Sequence, residues 1–409
     1  MSKMQRLSSA ERLLRTIRGE PVDRIPILSP LDWTPIAREI EPGGWRDEPN
    51  YRGLVPLAAE NCDFLVDLVV PEGSAAAERI EGQGGYETIA GGIFDRRFFL
   101  IPPEQVEVAE EETRDGQRSV AYLVHTPKGD LREVDEFPRD IDTTWASEPL
   151  IKEPEDVKRI LSVPYRFDRP NLDAFFARRE QLGDRGLAQL FVSSCITHIS
   201  RMTGLQQFLE WVVTERPLID RMLEEIYPRV QERLRYVLDH GVGPVFHFGG
   251  SEQATPPLMS NRLFDELVVK YDAPLMKMVR DAGKIVHVHC HGRVNTVLDR
   301  FIEMGAQLLD PVEPPPQGDT DLAEAKRRAA GRMTLIGNIE MVDLETEAPE
   351  VIEERVRDAV CLGGQDHFIL SASDVTVSRV SDRMRENIHR FVEVGIKYGT
   401  FDGSNPCLH

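Results

Sequence analysis

Three histidines are spaced two residues apart, at His287, His289 and His291. Side chains alternate between the two faces of a β-strand, so in a strand the three imidazoles would share one face. Imidazoles placed in this way could hold a divalent metal ion or transfer protons near neutral pH. Cys290 would point to the opposite face and pack in the core. The spacing therefore predicts a metal-binding or proton-transfer site on this strand.

Other polar residues follow short apolar runs elsewhere in the chain. Glu252 comes after two glycines, which would let its loop pass close to a ligand. Asp310 and Glu313 lie in a proline-rich segment that would hold their carboxylates in place. Each also has a structural reading: Glu252 as a solvated loop residue, Asn338 as a helix cap and His287 as a core histidine. The candidates for catalysis are Asp32, His247, Asp310 and Asn338, and those for metal binding are His289, His291, Glu252 and Asp374.

A parallel sheet would bring these candidates together, because its strands all end on one side. From residue 151 onward, helical stretches alternate with apolar runs of five to eight residues. Strands are predicted near 21–28 and over 63–70, 187–193, 244–248, 285–290, 306–310, 333–338 and 367–371. Eight strands alternating with helices predict an α/β fold, a single (β/α)8 TIM barrel over residues 1–409, with its active site at the carboxyl ends of the strands. The alternative, an open doubly wound sheet, usually carries a glycine-rich turn after the first strand, and residues 29–33 contain none.

Residues from about 81 to 144 have a different pattern. Glycine-rich turns separate short runs whose apolar period is nearer two than 3.6. We interpret this segment as a β-hairpin excursion inserted after the second strand, within the same domain.

Composition narrows the classes of function. The 409 residues are 41% hydrophobic, enough for a large core, and carry a formal net charge of −20. Nucleic acids and anionic membranes both need a basic face, so neither is an expected partner. The sequence contains no run of about 18 apolar residues, the length needed to span a membrane. Its charged start also lacks the apolar run of a signal peptide. We expect a cytoplasmic protein whose five separated cysteines, without a CxxC pair, stay reduced.

Several segments in order along the chain resemble the uroporphyrinogen decarboxylase-like superfamily. They are residues 12–26, 151–156, 256–258, 337–338 and 386–399. The superfamily contains decarboxylases and methyltransferases. True uroporphyrinogen decarboxylases carry an Arg-Gln-Ala-Gly-Arg segment after the first strand. Here that position holds Asp32 and Trp33 without either arginine, so the chain is closer to the methyltransferase branch.

Methyltransferases of the superfamily use zinc held by a His-x-Cys-Gly segment and a later cysteine. The matching segment here is His289-Cys290-His291-Gly292, with His291 in the cysteine's place, and the eighth strand offers Asp374 instead of the later cysteine. A thiolate-rich zinc site is not expected. The resemblance leaves open zinc or another divalent metal with imidazole and carboxylate ligands, which would favour polarising an oxygen or ether leaving group.

Three functions remain open at this point. The first is transfer of a methyl group from a small O-, N- or S-methyl substrate to or from a corrinoid protein or a coenzyme. The second is metal-independent decarboxylation of a small acid by Asp32 and a histidine, with Arg293 or Arg201 as the clamp. The third is ligand binding without catalysis. Because the chain lacks an Asp-x-His-x-x-Gly segment, any corrinoid would arrive on a partner protein. A second copy of the chain, forming a homodimer, is the other expected partner.

Overall fold

The structure is a computed structural model that describes residues 6–32, 34–37, 40, 42–70, 94, 100–401 and 407. Within these ranges there are eleven strands. They are β1 (Phe64–Asp67), β2 (Val106–Arg114), β3 (Gln117–Val124), β4 (Leu131–Pro138), β5 (Trp145–Glu148), β6 (Gly186–Ser193), β7 (Val245–Gly249), β8 (Ile285–His289), β9 (Leu308–Asp310), β10 (Thr334–Ile339) and β11 (Phe368–Ala372).

Seven of these strands form a curled parallel sheet in the order β1-β6-β7-β8-β9-β10-β11. All seven lie within a few residues of the predicted positions. The expected first strand is the exception, because Ile27 and Leu28 form only isolated parallel bridges, to Leu370 and Asp63 respectively. Pro26 and Pro30 have no N–H to donate to a ladder, so this segment touches both edges of the sheet without becoming an eighth strand. The seven strands therefore form a curled half-barrel, and the predicted eight-stranded barrel is not closed.

Helices follow most of the parallel strands and cover the sheet. They are α1 (Ser9–Arg18), α2 (Thr34–Ala37), α3 (Pro49–Asn61), α4 (Pro154–Ile160), α5 (Asp173–Leu182), α6 (Cys195–Thr203), α7 (Leu205–Thr214), α8 (Arg216–Asp239), α9 (Asn261–Phe264), α10 (Lys270–Asp281), α11 (Leu298–Met304), α12 (Leu322–Ala329), α13 (Met341–Thr346), α14 (Pro349–Gly363) and α15 (Asp382–Gly399). A π-helical turn, Asp265–Val269, joins α9 to α10.

The first helix covers the amino ends of the strands. The Ser8 side chain accepts from the N–H of Glu11 and so caps α1, which ends at Gly19 in the left-handed conformation. Leu13 and Ile17 then pack against residues from the sheet interior. The cluster also contains Leu28, Leu187, Val245, Leu308, Ile336 and Ile369. Because apolar side chains fill this end, polar side chains are left to gather at the other.

A second sheet lies between β1 and β6 in the sequence. It is antiparallel, with β2, β3, β4 and β5 in consecutive order, where the sequence predicted a hairpin excursion over about 81–144. The part of that excursion over 81–93 and 95–99 lies outside the described residues. After β4, Ile141 forms a bridge with Ser378 in the loop that follows β11, which ties this sheet to the carboxyl ends of the parallel strands.

The cysteines correct one expectation. Cys361 of α14 and Cys407 form a disulfide across 46 residues of sequence, although the wide spacing gave no reason to expect a pair. Cys62, Cys195 and Cys290 are free and buried, in agreement with the prediction. In the described part of the chain, no helix combines the length and apolarity needed to cross a membrane.

Candidate active site

Five polar side chains meet on five neighbouring strands, two of them at the carboxyl ends of their strands and three in the middle. The neighbouring strands β1, β6, β7, β8 and β9 each contribute one residue. In that order they are Asp67, Gln189, His247, His287 and Asp310. The parallel register places Asp67 opposite Gln189, and His247 opposite His287. Side chains directly opposite in adjacent strands point to the same face, so the sheet itself sets this cluster.

Hydrogen bonds fix the orientation of the inner rings. The side-chain N–H of Gln189 donates to Oδ2 of Asp67 at 3.0 Å, and Nδ1 of His247 lies 3.1 Å from Oδ1 of Asp67. On the other side of the same amide, Nδ1 of His287 lies 3.0 Å from Oε1 of Gln189. Nε2 of His287 then lies 2.8 Å from Oδ1 of Asp310. The chain of contacts runs from β1 to β9 without a gap.

The two outer histidines of the triplet are held by carboxylates from the following strand and loop. Nδ1 of His289 lies 3.2 Å from Oδ1 of Asp310, and Nδ1 of His291 lies 2.9 Å from Oε1 of Glu313. The N–H of Gly292 donates to the second oxygen of Glu313. Nε2 of His291 lies 3.9 Å from Oδ2 of Asp374. Each outer ring thus uses Nδ1 for orientation and keeps Nε2 for another partner.

The pKa values of this cluster are shifted in opposite directions. Burial alone would lower the pKa of His289, but the Asp310 carboxylate outweighs it and raises that pKa to about 10. The pKa of His291 is also raised, because its hydrogen bond to Glu313 overcomes burial. Burial lowers the pKa of His287 despite Asp310. Burial would raise the pKa of Asp310, yet His287 and His289 hold it well below its usual range.

Two further carboxylates surround the outer histidines. Oε2 of Glu252 is buried without a hydrogen-bond partner within the described structure, and the charge of Glu252 contributes to the raised pKa of His289. Burial, followed by repulsion from Glu313, raises the pKa of Glu340 to about 7. The carboxyl ends of the strands therefore hold a dense set of imidazoles and carboxylates.

The structure brings together most, but not all, of the predicted site residues. His247, His289, His291 and Asp310 are joined by the contacts above, and Asp374 approaches His291. Asn338 lies near the end of β10, opposite Ser371.

Asp32 belongs to a separate network. It accepts hydrogen bonds from the side chain of Thr34 at 2.6 Å, from Tyr51 at 3.0 Å and from Arg46. None of these partners is a histidine. Together they bind both oxygens of the Asp32 carboxylate and hold the loop after Leu28 in place.

Sequence reasoning missed Asp67 and Gln189 and did not choose Glu313. Asp67 is the charged interruption in the apolar run 63–70, and Gln189 is the polar residue inside the run 187–192. A polar residue alone in a buried strand must find a partner, and that signal could have found both. Glu313 was noted in the rigid loop, but its contact with His291 depends on the path of that loop.

The family model described as "Uroporphyrinogen decarboxylase (URO-D)" matches residues 139–395, more than half of the chain. This protein belongs to the URO-D family. The matched region begins at the end of β4 and contains β6 to β11, so it includes every histidine of the site. Asp32 and Asp67 lie before it. No curated protein matches the sequence of this URO-D family member.

Solved structures share the fold at low sequence identity. A methyltransferase from Methanosarcina mazei has a TM-score of 0.56 and 16% identity, with 95% of this chain and 98% of that chain covered. A B12-independent methionine synthase from Shewanella sp. W3-18-1 has a TM-score of 0.40 and 9% identity over 78% of this chain and 83% of that chain. At such identities, the first match shows a common fold for this URO-D family member, and the second carries no weight.

Proposed function

We propose that this URO-D family protein transfers a methyl group from a small O-, N- or S-methyl substrate to or from a corrinoid protein or a coenzyme. The observation that carries the proposal is the site itself. His287, His289 and His291 meet Asp310 and Glu313 at the carboxyl ends of the strands, where this fold binds its ligands. The fold shared with a protein described as a methyltransferase supports the same choice.

A decarboxylase for a polyanionic substrate would need free cations after the first strand. The residue at that place is Asp32, and its neighbour Arg46 is paired with Asp32 and with Asp142. A cation already paired with two carboxylates is poorly placed to bind the carboxylates of a substrate. These pairs argue against decarboxylation of a polyanionic substrate.

We assign His289 and His291 as the core of a divalent-metal site, completed by Glu252 or Asp374. The residues fit such a site, because both rings hold Nδ1 on a carboxylate and leave Nε2 for a ligand. Glu252 has a buried oxygen without a hydrogen-bond partner in the described structure, and Asp374 lies 3.9 Å from Nε2 of His291. A bound zinc ion would supply Lewis acidity toward the oxygen, nitrogen or sulfur that loses the methyl group.

The protein's own side chains would orient the substrate and its ligands. Asp310 and Glu313 fix the two outer rings, and the backbone N–H of Gly292 keeps Glu313 in place. The substrate would be a small molecule. A corrinoid acceptor would come on a separate protein, since the chain has no segment of its own for that cofactor.

The first test measures methyl transfer with the purified protein. The zinc-loaded protein is mixed with free cob(I)alamin and, in turn, with methanol, methylamines, methoxyarenes and dimethyl sulfide, and methylcobalamin is followed by absorbance. We expect one class of donor to react and His291→Ala to react at least 100-fold more slowly. His240→Ala is the matched control, because His240 is an exposed histidine at the end of α8.

The second test measures metal content. We expect at least one zinc ion per chain in the wild type, one ion fewer per chain in His289→Ala and in His291→Ala, and no change in His240→Ala. If no donor reacts, and a panel of small carboxylic acids instead releases CO2 without metal, the decarboxylase alternative replaces methyl transfer.

A further inference from the structure

Three potential ligands converge below the outer histidines. His247, His287 and Asp310 each offer one ligand atom within 4.8 Å of the other two. Nε2 of His287 lies 2.8 Å from Oδ1 of Asp310, and Nε2 of His247 lies 4.0 Å from the same oxygen. An ion that is about 2.0–2.2 Å from its ligands holds them within roughly 4.4 Å of one another. Both distances to Asp310 fall within that limit, so this carboxylate could share an ion with either ring.

The hydrogen-bond pattern determines which ring atoms carry lone pairs. The Asp67 carboxylate can only accept, so Gln189 must turn its N–H group toward it. This leaves Oε1 of Gln189 facing Nδ1 of His287, which must then be the N–H of that ring. A neutral His287 therefore has its lone pair on Nε2, facing a carboxylate oxygen. Two acceptors at this separation require a cation between them.

The same reasoning applies to His247. Its Nδ1 lies 3.1 Å from both oxygens of Asp67 and also 3.1 Å from the side-chain nitrogen of Gln189. The two carboxylate oxygens favour the hydrogen on Nδ1, because a lone pair there would face their negative charge, and this leaves the lone pair on Nε2. Nε2 of His247 is buried and has no hydrogen-bond partner in the described structure, and the side chain is 10% exposed. An imidazole with Nδ1–H on a carboxylate and Nε2 free is the usual arrangement of a metal-ligating histidine.

We propose that His247, His287 and Asp310 bind a divalent first-row transition-metal ion, in a site separate from that of His289 and His291. Two imidazoles and one carboxylate favour Zn²⁺, Fe²⁺ or Co²⁺ over Mg²⁺ or Ca²⁺, which prefer oxygen ligands. Three protein ligands leave a position for water or substrate. The inner site does not depend on the proposed methyl transfer.

A proton is the rival cation, with His287 as an imidazolium paired to Asp310. That pair would satisfy the 2.8 Å contact but would leave Nε2 of His247 without a partner. The two alternatives differ in what they predict for metal binding. A proton-only site gives no ion that depends on His247.

The experiment titrates the chelator-stripped, full-length protein with Co²⁺ and follows its visible absorption and bound-metal count. His247→Asn and His287→Asn should each lose one Co²⁺ per chain relative to the wild type, or bind it at least tenfold more weakly. His291→Ala should keep that ion, and His240→Asn is the control for nonspecific binding by histidine. Whether His291→Ala loses a different ion tests the proposed function separately.

Thermal unfolding with and without Zn²⁺ guards against a folding defect. A site that binds zinc in the native state raises Tm by mass action, so zinc should raise the Tm of the wild type more than that of His247→Asn. The proposal is overturned if both inner variants, folded by circular dichroism, keep the wild-type Co²⁺ count and the wild-type Tm shift.

Discussion

His287 and Asp310 face each other across adjacent strands, with Nε2 of the imidazole 2.8 Å from Oδ1 of the carboxylate. In the register of these strands, however, Asp310 lies opposite His289, and His287 lies opposite Leu308. The Asp310 carboxylate therefore reaches between two rings of the same strand face. Since a shift of one residue would turn every side chain of β9 to the other face, the site depends directly on this strand pairing.

The strand pairing depends in turn on the N-terminal segment, and Asp63 tests that dependence. The Asp63 side chain is fully buried and bonds Arg12 at 2.7 Å and Arg24 at 2.8 Å. It also accepts from the N–H of Ile27 at 2.9 Å. Asp63→Ala leaves two arginines without this partner, and removing one partner of a buried ion pair costs about 3–5 kcal/mol. We expect a clear fall in the urea midpoint.

Asp281→Ala is the control for this substitution. Asp281 pairs with Lys277 at the surface, where both side chains are largely exposed, and such pairs contribute little. Equal urea midpoints for the two variants would contradict the role given to Asp63.

The loop that carries Glu252 requires glycine at position 250. Gly250 has φ +96°, and a Cβ there would lie 1.8 Å from the hydroxyl oxygen of Thr197. Gly241 has φ +78°, and a Cβ added there would have no atom within 4 Å. Gly241→Ala is therefore the control that has the backbone strain without the clash. A left-handed non-glycine residue costs about 1–2 kcal/mol. We expect both alanine variants to lose stability, Gly250→Ala by more.

Gly250→Ala should also weaken metal binding at the outer site, because the displaced loop moves Glu252. The measurements are Tm and the Kd for Zn²⁺. If Gly250→Ala and Gly241→Ala have the same Tm and the same Kd, the close approach to Thr197 has no functional consequence.

The parallel strands could be predicted because they are buried on both faces and therefore form continuous apolar runs. β7 (Val245–Gly249) and β8 (Ile285–His289) lie almost where these runs place them. The expected first strand failed for a local reason, since prolines on both sides of Ile27 and Leu28 limit its hydrogen bonds. The prediction of reduced cysteines was wrong for Cys361 and Cys407 for a non-local reason, because nothing in their spacing brings these two residues together.

The site could be predicted to the level of strand ends but not of atoms. His287, His289 and His291 do share one face, as their spacing indicates. Which nitrogen of His247 and of His287 is bonded depends on Asp67 and Gln189, which come from strands much earlier in the chain. Those contacts exist only after four strands have paired in register, so no local pattern contains them.

Asp272 should make stability depend on pH. It is buried in α10 and accepts from the N–H of Cys195 at 3.4 Å, and burial raises its pKa to about 7. The unfolded carboxyl has a pKa of about 3.9, so between these values the folded state binds the extra proton. Stability from this group is therefore highest at low pH and falls as the pH rises toward about 7.

Asp272→Asn removes this dependence. We expect the variant and the wild type to have similar free energies of unfolding near pH 4.5. Near pH 8 the variant should be the more stable protein by a few kcal/mol, the size of effect that this pKa shift implies. Urea unfolding at the two pH values measures the difference, with Asp281→Asn as the surface control. A difference that is the same at both pH values would show that Asp272 stays charged.

Gln189 should control metal affinity at the inner site without being a ligand. Its N–H group donates to Asp67, and its Oε1 accepts from His287, so it fixes which nitrogen of His287 faces Asp310. Gln189→Leu removes both bonds while nearly keeping the volume of the side chain. Loss of such an orienting partner lowers metal affinity by about 10–100-fold. We expect a rise of that size in the Kd for Co²⁺ at the inner site, with little change at the outer one.

Gln231→Leu is the matched control, because Gln231 donates to Tyr227 on the same helix, α8, away from the histidines. It should leave both Kd values unchanged. Gln189→Glu is a second test of the same contacts. A carboxylate at this position cannot donate to Asp67 and would repel it, so the bonds to Asp67 and to His287 should both be disturbed. If Gln189→Leu binds Co²⁺ as tightly as the wild type, the orientation of His287 does not depend on Gln189, and the lone-pair argument for the inner site loses its first step.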